Sequence, residues 1–273
     1  MPRHFLEAAS LTDAGRVRVY NEDSLAVDCA KGIAVLADGM GGHRAGEVAS
    51  GLAIEQIVQR LSARQNGDDA SGSDSRRSSP RRALYEAIAE ANRSILAAAA
   101  TRAACQGMGT TVAAVLFHDE GVVLGHVGDS RIYRLRDGCL ELLTSDDSLL
   151  RDQVELGLIT AADASESHNR HLVTRVLGGQ EKLNPHLREE EVREGDVFLL
   201  CSDGLNDLVE DTDIELIVNL LQVNLPLAAS HLVQLANDNG GSDNISVILV
   251  KVGALAPVEP PKSWLARLLA WFR

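Results

Sequence analysis

The stretch VLADGMGGHRAGEVAS, from Val35 to Ser50, constrains the fold of this chain more than any other. An apolar run, typical of a buried strand, ends abruptly at Asp38, and three of the next four residues are glycines. A second apolar run, FLLCSDG, ends in the same way at Asp203. A single Asp-Gly pair usually forms an ordinary turn. Its recurrence after two apolar runs instead favours a site built where strands end.

The pattern of apolar runs and turns predicts two antiparallel sheets packed together, with helices on the outside. Short spacings and tight turns favour antiparallel pairing over repeated crossover connections. Strands are predicted over Phe5–Ser10, Ser24–Ala30, Gly32–Asp38, Gly109–Phe117, Gly121–Val127, Arg131–Leu135, Asp196–Gly204 and Asn244–Val252. Helices are predicted from near Ala45, over Arg82–Ala100, over DTDIELIVNLL with a capping box at Thr212 and Glu215, and over PLAASHLVQLAND. The fold class is therefore α+β.

The composition is that of a globular protein with an acidic surface. The chain has 273 residues, 45% of them hydrophobic, which is enough to bury a sizeable core. Its net charge of -13 disfavours a general role in binding nucleic acid. No apolar run is long enough for a signal peptide or a membrane span. The cysteines form no CxxC pair, which is typical of thiols in a reducing compartment, so we expect a cytoplasmic protein. They are Cys29, Cys105, Cys139 and Cys201.

Two segments differ from this pattern in composition. Residues 62–82 are rich in Ser, Gly, Asp and Arg, and such a segment buries too little apolar surface to offset its ordering entropy. We expect a disordered insert between two helices, either a spacer or a phosphorylated or partner-binding loop. Residues 254–273 combine a Pro-rich spacer with an amphipathic stretch from Trp264 to Phe272. That stretch could lie on a membrane surface, dock on a partner protein or pack back on the fold.

Five aspartates lie at predicted strand ends or in turns. If the strands bring these ends together, repulsion among the carboxylates raises their pKa values unless cations neutralise them. Oxygen ligands without a Cys or His cluster suit Mg²⁺ or Mn²⁺ better than zinc or copper. We therefore expect a metal site. Its candidate ligands are Asp23, Asp38, Asp129, Asp203 and Asp243.

Seven motifs follow one another along the chain: GRVRVYNEDS, VLADGMGGHRAGEVAS, GMGTT, GHVGDSRIYRL, LTSDDS, FLLCSDGL and GGSDNISVILV. In this order they resemble the motifs of the metal-dependent protein phosphatase family (PPM, type 2C) in its compact bacterial form. The resemblance extends from about Ser10 to Lys251 and implies a PPM-type domain over residues 1–253. It also implies an α-β-β-α sandwich with a two-metal centre between the sheets.

The resemblance implies a ligand role for each matching residue. Asp38 would bridge two Mn²⁺ or Mg²⁺ ions, and the carbonyl of Gly39 would bind one of them. Asp203 and Asp243 would complete the coordination of the other ion, while Asp129 would help to recruit a third ion. A hydroxide shared between the ions would then attack phosphorus directly, without a covalent phosphoenzyme.

Further residues are implied in holding water and phosphate. Glu22 and Asp23 would hold metal-bound waters. Arg18 would bind two phosphate oxygens through its guanidinium group, unless it is simply an exposed structural arginine. Many eukaryotic relatives have a histidine, proposed to protonate the leaving alkoxide, where this chain has Met40. Because methionine cannot donate a proton, we expect a metal-bound water to do so, with His43 as the alternative.

The segment 145–173 matches the flap that covers the active site in this family. Asp147 stands where relatives usually have histidine, and we expect this change to alter substrate docking or metal affinity rather than the chemistry. Basic residues in the same region could meet the charge of a phosphoprotein, or could simply be solvated. They are His168, Arg170, His171 and Arg175.

These features predict a Mn²⁺- or Mg²⁺-dependent phosphatase that removes phosphate from serine and threonine of proteins and opposes a bacterial Ser/Thr kinase. One alternative is a phosphoprotein-binding pseudophosphatase or scaffold, although no residue of the implied metal set is replaced. Another is a phosphatase of small phosphoesters. We expect a monomer whose partners are phosphoproteins.

Overall fold

The computed structural model describes residues 2, 4–42, 45–66, 79–160 and 172–255. Within these ranges the chain forms strands, α-helices and a short 3₁₀ turn at Ala103–Cys105. The strands are β1 His4–Asp13, β2 Asp23–Asp28, β3 Ile33–Met40, β4 Gly109–Thr110, β5 Val112–His118, β6 Gly121–Val127, β7 Arg131–Arg136, β8 Cys139–Leu142, β9 His186–Glu190, β10 Val197–Cys201 and β11 Ile245–Leu255. The helices are α1 Ala45–Asn66, α2 Pro80–Thr101, α3 Leu149–Glu155, α4 Asp203–Asn206, α5 Asp211–Leu221 and α6 Leu225–Asp238.

The strands form two antiparallel sheets. The first sheet has the order β1-β11-β10-β7-β8. The second has the order β2-β3-β5-β6-β9, and the short strand β4 pairs with the end of β3. Each sheet therefore has central strands that come from distant parts of the sequence.

Three apolar layers hold the sandwich together. One lies between the second sheet and the helices α1 and α2, and another lies between the first sheet and α5 and α6. The third fills the space between the sheets, where the rings of Phe117 and Phe198 meet edge to face at 5.4 Å between centroids. The predicted α+β class is confirmed, and the layers are those of an α-β-β-α sandwich.

The helix pair α1 and α2 illustrates why these sequences form these elements. Ser79 accepts a hydrogen bond from the backbone N–H of Arg82, and Pro80 begins α2, so the helix has both a cap and a suitable first residue. The predicted apolar face of α2 is confirmed, because all four of its residues are fully buried against the second sheet. They are Leu84, Ile88, Ala91 and Ile95.

The capping box predicted at Thr212 and Glu215 is wrong. Helix α5 begins at Asp211, and Glu210 occupies the cap position without a capping hydrogen bond from its side chain. The Glu215 carboxylate instead accepts a hydrogen bond of 2.7 Å from the backbone N–H of Leu140. A tertiary contact with β8 has therefore taken the side chain that the local pattern assigned to the helix end.

Four of the named strands and helices were not predicted, namely β8, α3, β9 and α4, and the last of these begins within the strand predicted over Asp196–Gly204. The bounds of the predicted segments also change: α1 continues to residue 66 and α2 begins at residue 80, so both ends of the predicted 62–82 insert are helical. Its remaining residues, 67–78, lie outside the described ranges, as do residues 256–273 with the amphipathic stretch from Trp264 to Phe272. Among the described residues, no helix has the length and hydropathy needed to cross a membrane.

The core between the sheets provides a direct test of this architecture. Phe198 is fully buried, whereas Phe5 on β1 is 67% exposed. Phe198→Ala should lower the free energy of unfolding by about 3–5 kcal/mol, because it removes a ring from between the two sheets. Phe5→Ala should change it by less than about 1 kcal/mol. Urea denaturation of both variants measures the difference, and equal effects would contradict the assigned layers.

Candidate metal centre

A cleft of about 430 Å³ opens where the ends of the two sheets meet. Strand β3 of the second sheet enters it at Asp38, and the segments that end β10 and begin β11 of the first sheet enter it from the other side. The cleft thus lies at the junction of the sheets, as the recurrence of Asp-Gly at strand ends predicted. Of the predicted site residues, Arg18, Glu22, Asp38, Gly39, Asp129, Asp203 and Asp243 line it.

Asp38 is fixed by its backbone. Its N–H donates to the hydroxyl of Thr111 at 3.0 Å, and its carbonyl accepts from the backbone N–H of Thr111 at 2.9 Å and from the hydroxyl of Thr110 at 2.8 Å. The strand register places Asp23 directly opposite Asp38 on β2. Two carboxylates therefore share one end of the β2–β3 pair, and the backbone bonds leave the Asp38 side chain to the cleft.

Two buried carboxylate oxygens in this centre have no partner among the described residues. Asp23 accepts from the hydroxyl of Ser202 at 2.9 Å through Oδ2, but its Oδ1 is buried without a hydrogen bond. Oδ1 of Asp203, the first residue of α4, is also buried without a hydrogen bond. A buried polar atom without a partner carries a large desolvation cost. These two oxygens, one on β2 and one just after β10, are atoms that a bound cation or a water molecule held by it would satisfy.

The pKa values of four acids in this centre, Asp23, Asp38, Asp129 and Asp203, are raised. Burial is the largest cause for each, and repulsion from neighbouring carboxylates adds to it for Asp38 and Asp203, whose pKa values lie well above the ordinary value. Burial raises the pKa of Asp23 to about 6, although hydrogen bonds from Ser246 and Ser202 act against the shift. Burial and the charge of Asp146 raise the pKa of Asp129 to about 7.

This donor set suits divalent cations with oxygen ligands. The carboxylates converge from both sheets, repel one another and leave two buried oxygens unsatisfied. A cation with two positive charges removes each of these costs at once. Carboxylates without a sulfur or imidazole ligand favour Mg²⁺ or Mn²⁺. The residues present are therefore well suited to the ions that the motifs implied.

Glycine is required at two places beside Asp38, where backbones approach closely. A Cβ at Gly39 would lie 2.2 Å from the carbonyl oxygen of Gly46 and 2.6 Å from that of Glu22. A Cβ at Gly46, in the first turn of α1, would lie 2.8 Å from the carboxyl carbon of Glu22. These distances leave no room for a side chain, so the glycines bring α1 and the Glu22 segment against the end of β3.

Arg18 forms an ion pair with one of the predicted ligands. Its Nη2 donates to Oδ2 of Asp243 at 2.7 Å, while Oδ1 of Asp243 accepts from the backbone N–H of Asn244 at 2.8 Å. The hydrogen bond and the charge of Asp243 raise the pKa of the Arg18 guanidinium further, with smaller contributions from Asp203 and Asp38. The arginine is therefore held at the mouth of the cleft by the acidic centre itself.

Several supporting residues were missed by sequence reasoning. Asn244 donates to the carbonyls of Ala14 and Tyr20, and its side-chain oxygen accepts from the N–H of Glu22, so it ties the loop that carries Arg18 to the start of β11. Its position after Asp243 in the GGSDN motif was the available signal. Thr111 and Ser202 were also missed, because their roles depend on strand pairing between distant segments.

The predicted departures from the family pattern have different outcomes. Met40 lines the cleft. Asp147 does not line it, and its side chain instead binds Gly128 and Arg175. His43, His168, Arg170 and His171 lie outside the described residues. Arg175 is described and binds Asp147, His186 and the carbonyl of Asn184. It is therefore part of a structural network and is not a solvated side chain.

A second group of possible metal ligands lies apart from the acidic centre. One ligand atom from each of His126, Asp147 and His186 lies within 4.8 Å of the others. Nη1 of Arg175 lies 2.7 Å from Nε2 of His186 and 3.2 Å from Oδ1 of Asp147. Because a cationic guanidinium already contacts both of these atoms, which lie 3.0 Å from each other, we do not assign the catalytic ions to this group.

Comparison with known proteins agrees with this geometry. The family model described as Protein phosphatase 2C matches residues 15–235 of the chain. The chain belongs to the protein phosphatase 2C family. The resemblance inferred from the ordered motifs is thereby confirmed, and the fold agrees with that of solved members.

Individual relatives are bacterial. Serine/threonine protein phosphatase PstP of Mycobacterium tuberculosis is 40% identical over 248 residues, which cover 90% of this chain and 45% of the relative. The chain thus spans about half the length of that protein. Serine/threonine phosphatase stp of Listeria monocytogenes is 34% identical over 252 residues, which cover 90% of this chain and 96% of the relative.

Solved structures show the same fold. A crystal structure of Mycobacterium tuberculosis PstP/Ppp superposes with a TM-score of 0.80 at 38% identity, covering 91% of this chain and 99% of that one. A crystal structure of the PstP catalytic domain in complex with two manganese ions gives a TM-score of 0.77 at 38% identity, with coverage of 91% and 99%.

The raised pKa values predict how stability depends on pH when divalent cations are removed. The folded pKa values of Asp23 and Asp129, about 6 and about 7, lie above the unfolded value of about 3.9. The folded state therefore binds protons more tightly than the unfolded state. In EDTA, the contribution of these two groups to the free energy of unfolding should be fully present below about pH 4 and should be lost as pH rises to about 7. Denaturant unfolding at a series of pH values measures this.

The variant Asp38→Asn separates this effect from general acid sensitivity. It removes one charge from the cluster, so in EDTA at pH 7.5 it should be more stable than the wild type by about 1–3 kcal/mol. The matched control Asp119→Asn, at an exposed position, should change stability by less than about 0.5 kcal/mol. If the wild type in EDTA instead became more stable between pH 5 and 7, repulsion within the cluster would not be the dominant effect.

Proposed function

We propose that this chain is a metal-dependent phosphatase that hydrolyses phosphoserine and phosphothreonine in proteins. The observation that carries the proposal is the cluster of buried carboxylates contributed by both sheets, with raised pKa values and unsatisfied oxygens, at the floor of an open cleft. Membership of the protein phosphatase 2C family supports the same reaction.

The ligand roles are those implied by the resemblance to the family, and the cluster of carboxylates supports them. Asp38 would bridge two Mn²⁺ or Mg²⁺ ions, with the Gly39 carbonyl on one ion and Asp203 and Asp243 on the other. Bound cations would polarise the phosphoryl oxygens and lower the pKa of a water molecule towards neutrality. Other acids of the cleft would take supporting parts. Glu22 and Asp23 would hold water molecules, and Asp129 would help to hold a third ion.

Arg18 would orient the phosphate group. It uses one guanidinium nitrogen, Nη2, to bind Asp243, and a guanidinium carries five N–H donors. The remaining donors can bind two phosphate oxygens in the forked geometry that arginine provides. The contact with Asp243 would then align the phosphate with the acidic centre. Met40, which also lines the cleft, has no proton to give to the leaving group.

The proposal also includes the substrates and partners of the protein. The phosphoprotein substrates would be products of a Ser/Thr kinase, which this chain would oppose. The acidic net charge of -13 supports a protein partner over nucleic acid. A cytoplasmic location, a monomeric state and the role of the stretch from Trp264 to Phe272 in membrane or protein docking remain predictions from the sequence.

Phosphate release from a phosphothreonine peptide tests the reaction. The wild type should be active with Mn²⁺ and inactive in EDTA. Asp38→Asn and Asp203→Asn should each lower kcat/KM by at least about 100-fold, because each removes a charge that holds the ions. Asp119→Asn, an exposed aspartate in the β5–β6 turn, should leave kcat/KM within about twofold of the wild type.

Two other outcomes would replace this function with an alternative. A wild type that is inert with every divalent cation but retains phosphoproteins would be a binding protein or scaffold. A wild type that hydrolyses nucleotides and phosphopeptides at similar kcat/KM would be a phosphatase of small phosphoesters. Both comparisons use the full chain at matched substrate concentrations.

The role of Arg18 can be tested separately. Arg18→Ala should raise KM for the phosphopeptide by about 10-fold or more with a smaller change in kcat, because it removes a contact to the phosphate in both the bound substrate and the transition state. Arg18→Lys should recover only part of the loss, since an ammonium group lacks the forked geometry. The control is Arg16→Ala, at an exposed arginine in the same loop. Equal KM values for Arg18→Ala and Arg16→Ala would remove Arg18 from the site.

A further inference from the structure

Asp147 is a buried carboxylate close to the metal centre that does not line the cleft. It is 7% exposed and follows Asp146 in the segment that leads into α3. A buried carboxylate is costly unless charged partners and hydrogen bonds compensate it. The partners of Asp147 come from two separate parts of the chain, and they suggest what this residue does.

The first set of contacts fixes Gly128. The backbone N–H of Asp147 donates to the carbonyl of Gly128 at 2.9 Å, and Oδ2 of Asp147 accepts from the N–H of Gly128 at 3.0 Å. These two groups belong to the peptide bonds on either side of Gly128, so one residue fixes both peptide planes. The second of these planes leads directly into Asp129.

The turn requires glycine at position 128. Gly128 has φ +101°, and a Cβ there would lie 2.6 Å from Cγ2 of Thr111. On the other side of Asp129, the hydroxyl of Ser130 lies 2.7 Å from that of Thr111, which also binds the backbone of Asp38. Asp129 therefore lies between two anchors, and Asp147 forms one of them.

The second set of contacts joins Asp147 to the chain that follows residue 171. Oδ1 accepts from Nη1 of Arg175 at 3.2 Å and lies 3.0 Å from Nε2 of His186 on β9, while the carbonyl accepts from the N–H of Thr174 at 2.8 Å. Arg175 also donates to the carbonyl of Asn184. The guanidinium supplies the positive charge that a buried carboxylate needs.

A bound metal is a poorer explanation of the same residues. The cationic guanidinium of Arg175 already contacts the ligand atoms of both Asp147 and His186. Nε2 of His126 lies 2.9 Å from the carbonyl of Ser145, and the rings of His126 and His186 are stacked with 4.8 Å between centroids. Stacked rings direct their nitrogens along similar planes and not towards one shared ion. The cluster is therefore a hydrogen-bonded support.

We propose that Asp147 is a positioning residue that holds the Gly128–Asp129 turn in the geometry that Asp129 needs to bind a divalent cation, with Arg175 as its charge partner. The inference rests on the proposed function in one respect, the role of Asp129 as a metal ligand. Asp147 itself touches neither substrate nor ion. It acts through the two peptide groups beside Gly128.

Mn²⁺ binding, measured by electron paramagnetic resonance of the free ion during titration of the full chain, tests the proposal without an activity assay. The measurement concerns the Mn²⁺-binding step that depends on Asp129, which is identified as the step whose affinity is lost in Asp129→Ala. Asp147→Ala, which deletes the acceptor for Gly128, should lower that affinity at least 10-fold. Asp147→Asn keeps a side-chain oxygen for Gly128 but loses the charge that binds Arg175, so it should have a smaller effect.

Further variants distinguish positioning from general destabilisation. Arg175→Ala should weaken the same Mn²⁺ affinity, and Arg175→Lys should restore part of it. Asp196→Asn is the matched control, because Asp196 is also buried and pairs with an arginine, Arg136, at 2.8 and 2.7 Å. It precedes β10, roughly 17 Å of strand away from the cleft end of that strand. It should lower thermal stability without changing Mn²⁺ affinity.

A double variant and a kinetic measurement complete the test. In Asp129→Ala/Asp147→Ala, the second substitution should cause no further loss of Mn²⁺ affinity, because the ligand it positions is gone. In Asp147→Ala, the Mn²⁺ concentration for half-maximal activity should rise about 10-fold, while KM for the phosphopeptide at saturating Mn²⁺ should stay within about twofold.

Several results would overturn the inference. Wild-type Mn²⁺ affinity in a folded Asp147→Ala or Arg175→Ala protein would do so, as would the same loss in Asp196→Asn. Additive losses in the double variant would mean that Asp147 acts independently of Asp129. If Asp129→Ala itself lost no affinity, the assignment of Asp129 as a ligand would also be wrong. The phosphatase proposal would still stand on the Asp38 and Asp203 variants.

Discussion

Repulsion among buried carboxylates is the constraint on which the rest of this structure depends. Asp23 and Asp38 belong to one sheet, while Asp203 and Asp243 lie beside the central strands of the other. Burial and mutual repulsion raise the pKa values of Asp23, Asp38 and Asp203. A fold that tolerates this needs large apolar layers elsewhere, and the three layers of the sandwich supply them. Divalent cations then convert a destabilising cluster into a ligand set, so stability and function are coupled at one place.

The close approach of the two sheets at this cluster depends on small or backbone-directed residues. Gly39 and Gly46 let the start of α1 contact the end of β3 at distances that no side chain would allow. The side chain of Asn244 forms hydrogen bonds with three backbone groups of the loop that carries Arg18. Neither kind of residue carries a charged side chain, and the proposed ligand role of Gly39 uses only its backbone carbonyl. Both determine where the charged residues lie, which explains why the acidic centre cannot be understood from its aspartates alone.

The sequence was most informative where a local rule and the tertiary structure agree. Apolar runs ending in Asp-Gly predicted the positions of Asp38 and Asp203, because burial and strand termination are both local properties. The helical spacing of Leu84, Ile88, Ala91 and Ile95 predicted the buried face of α2 for the same reason. Strand β9 was missed because its HLREE sequence is polar, and it is a strand only because β6 pairs with it. Glu215 was misassigned to a helix cap because its partner, Leu140, is 75 residues away in the sequence.

In the proposed function, cations and phosphate would bind through the same residues. The cleft is acidic, and a phosphate group that approaches it without cations would be repelled by the carboxylates, with Arg18 as the lining residue of opposite charge among those described. Arg18 is itself paired with Asp243. If Asp243 and Arg18 have the roles proposed above, a cation that takes up the charge of Asp243 would weaken this pair and free guanidinium donors for phosphate. A bound phosphate would in turn add negative charge that favours the cations. Linkage requires that each ligand strengthen the other by the same factor. An ordered loop, a shared carboxylate and one arginine are therefore sufficient to make substrate affinity depend on the metal, without any change of fold.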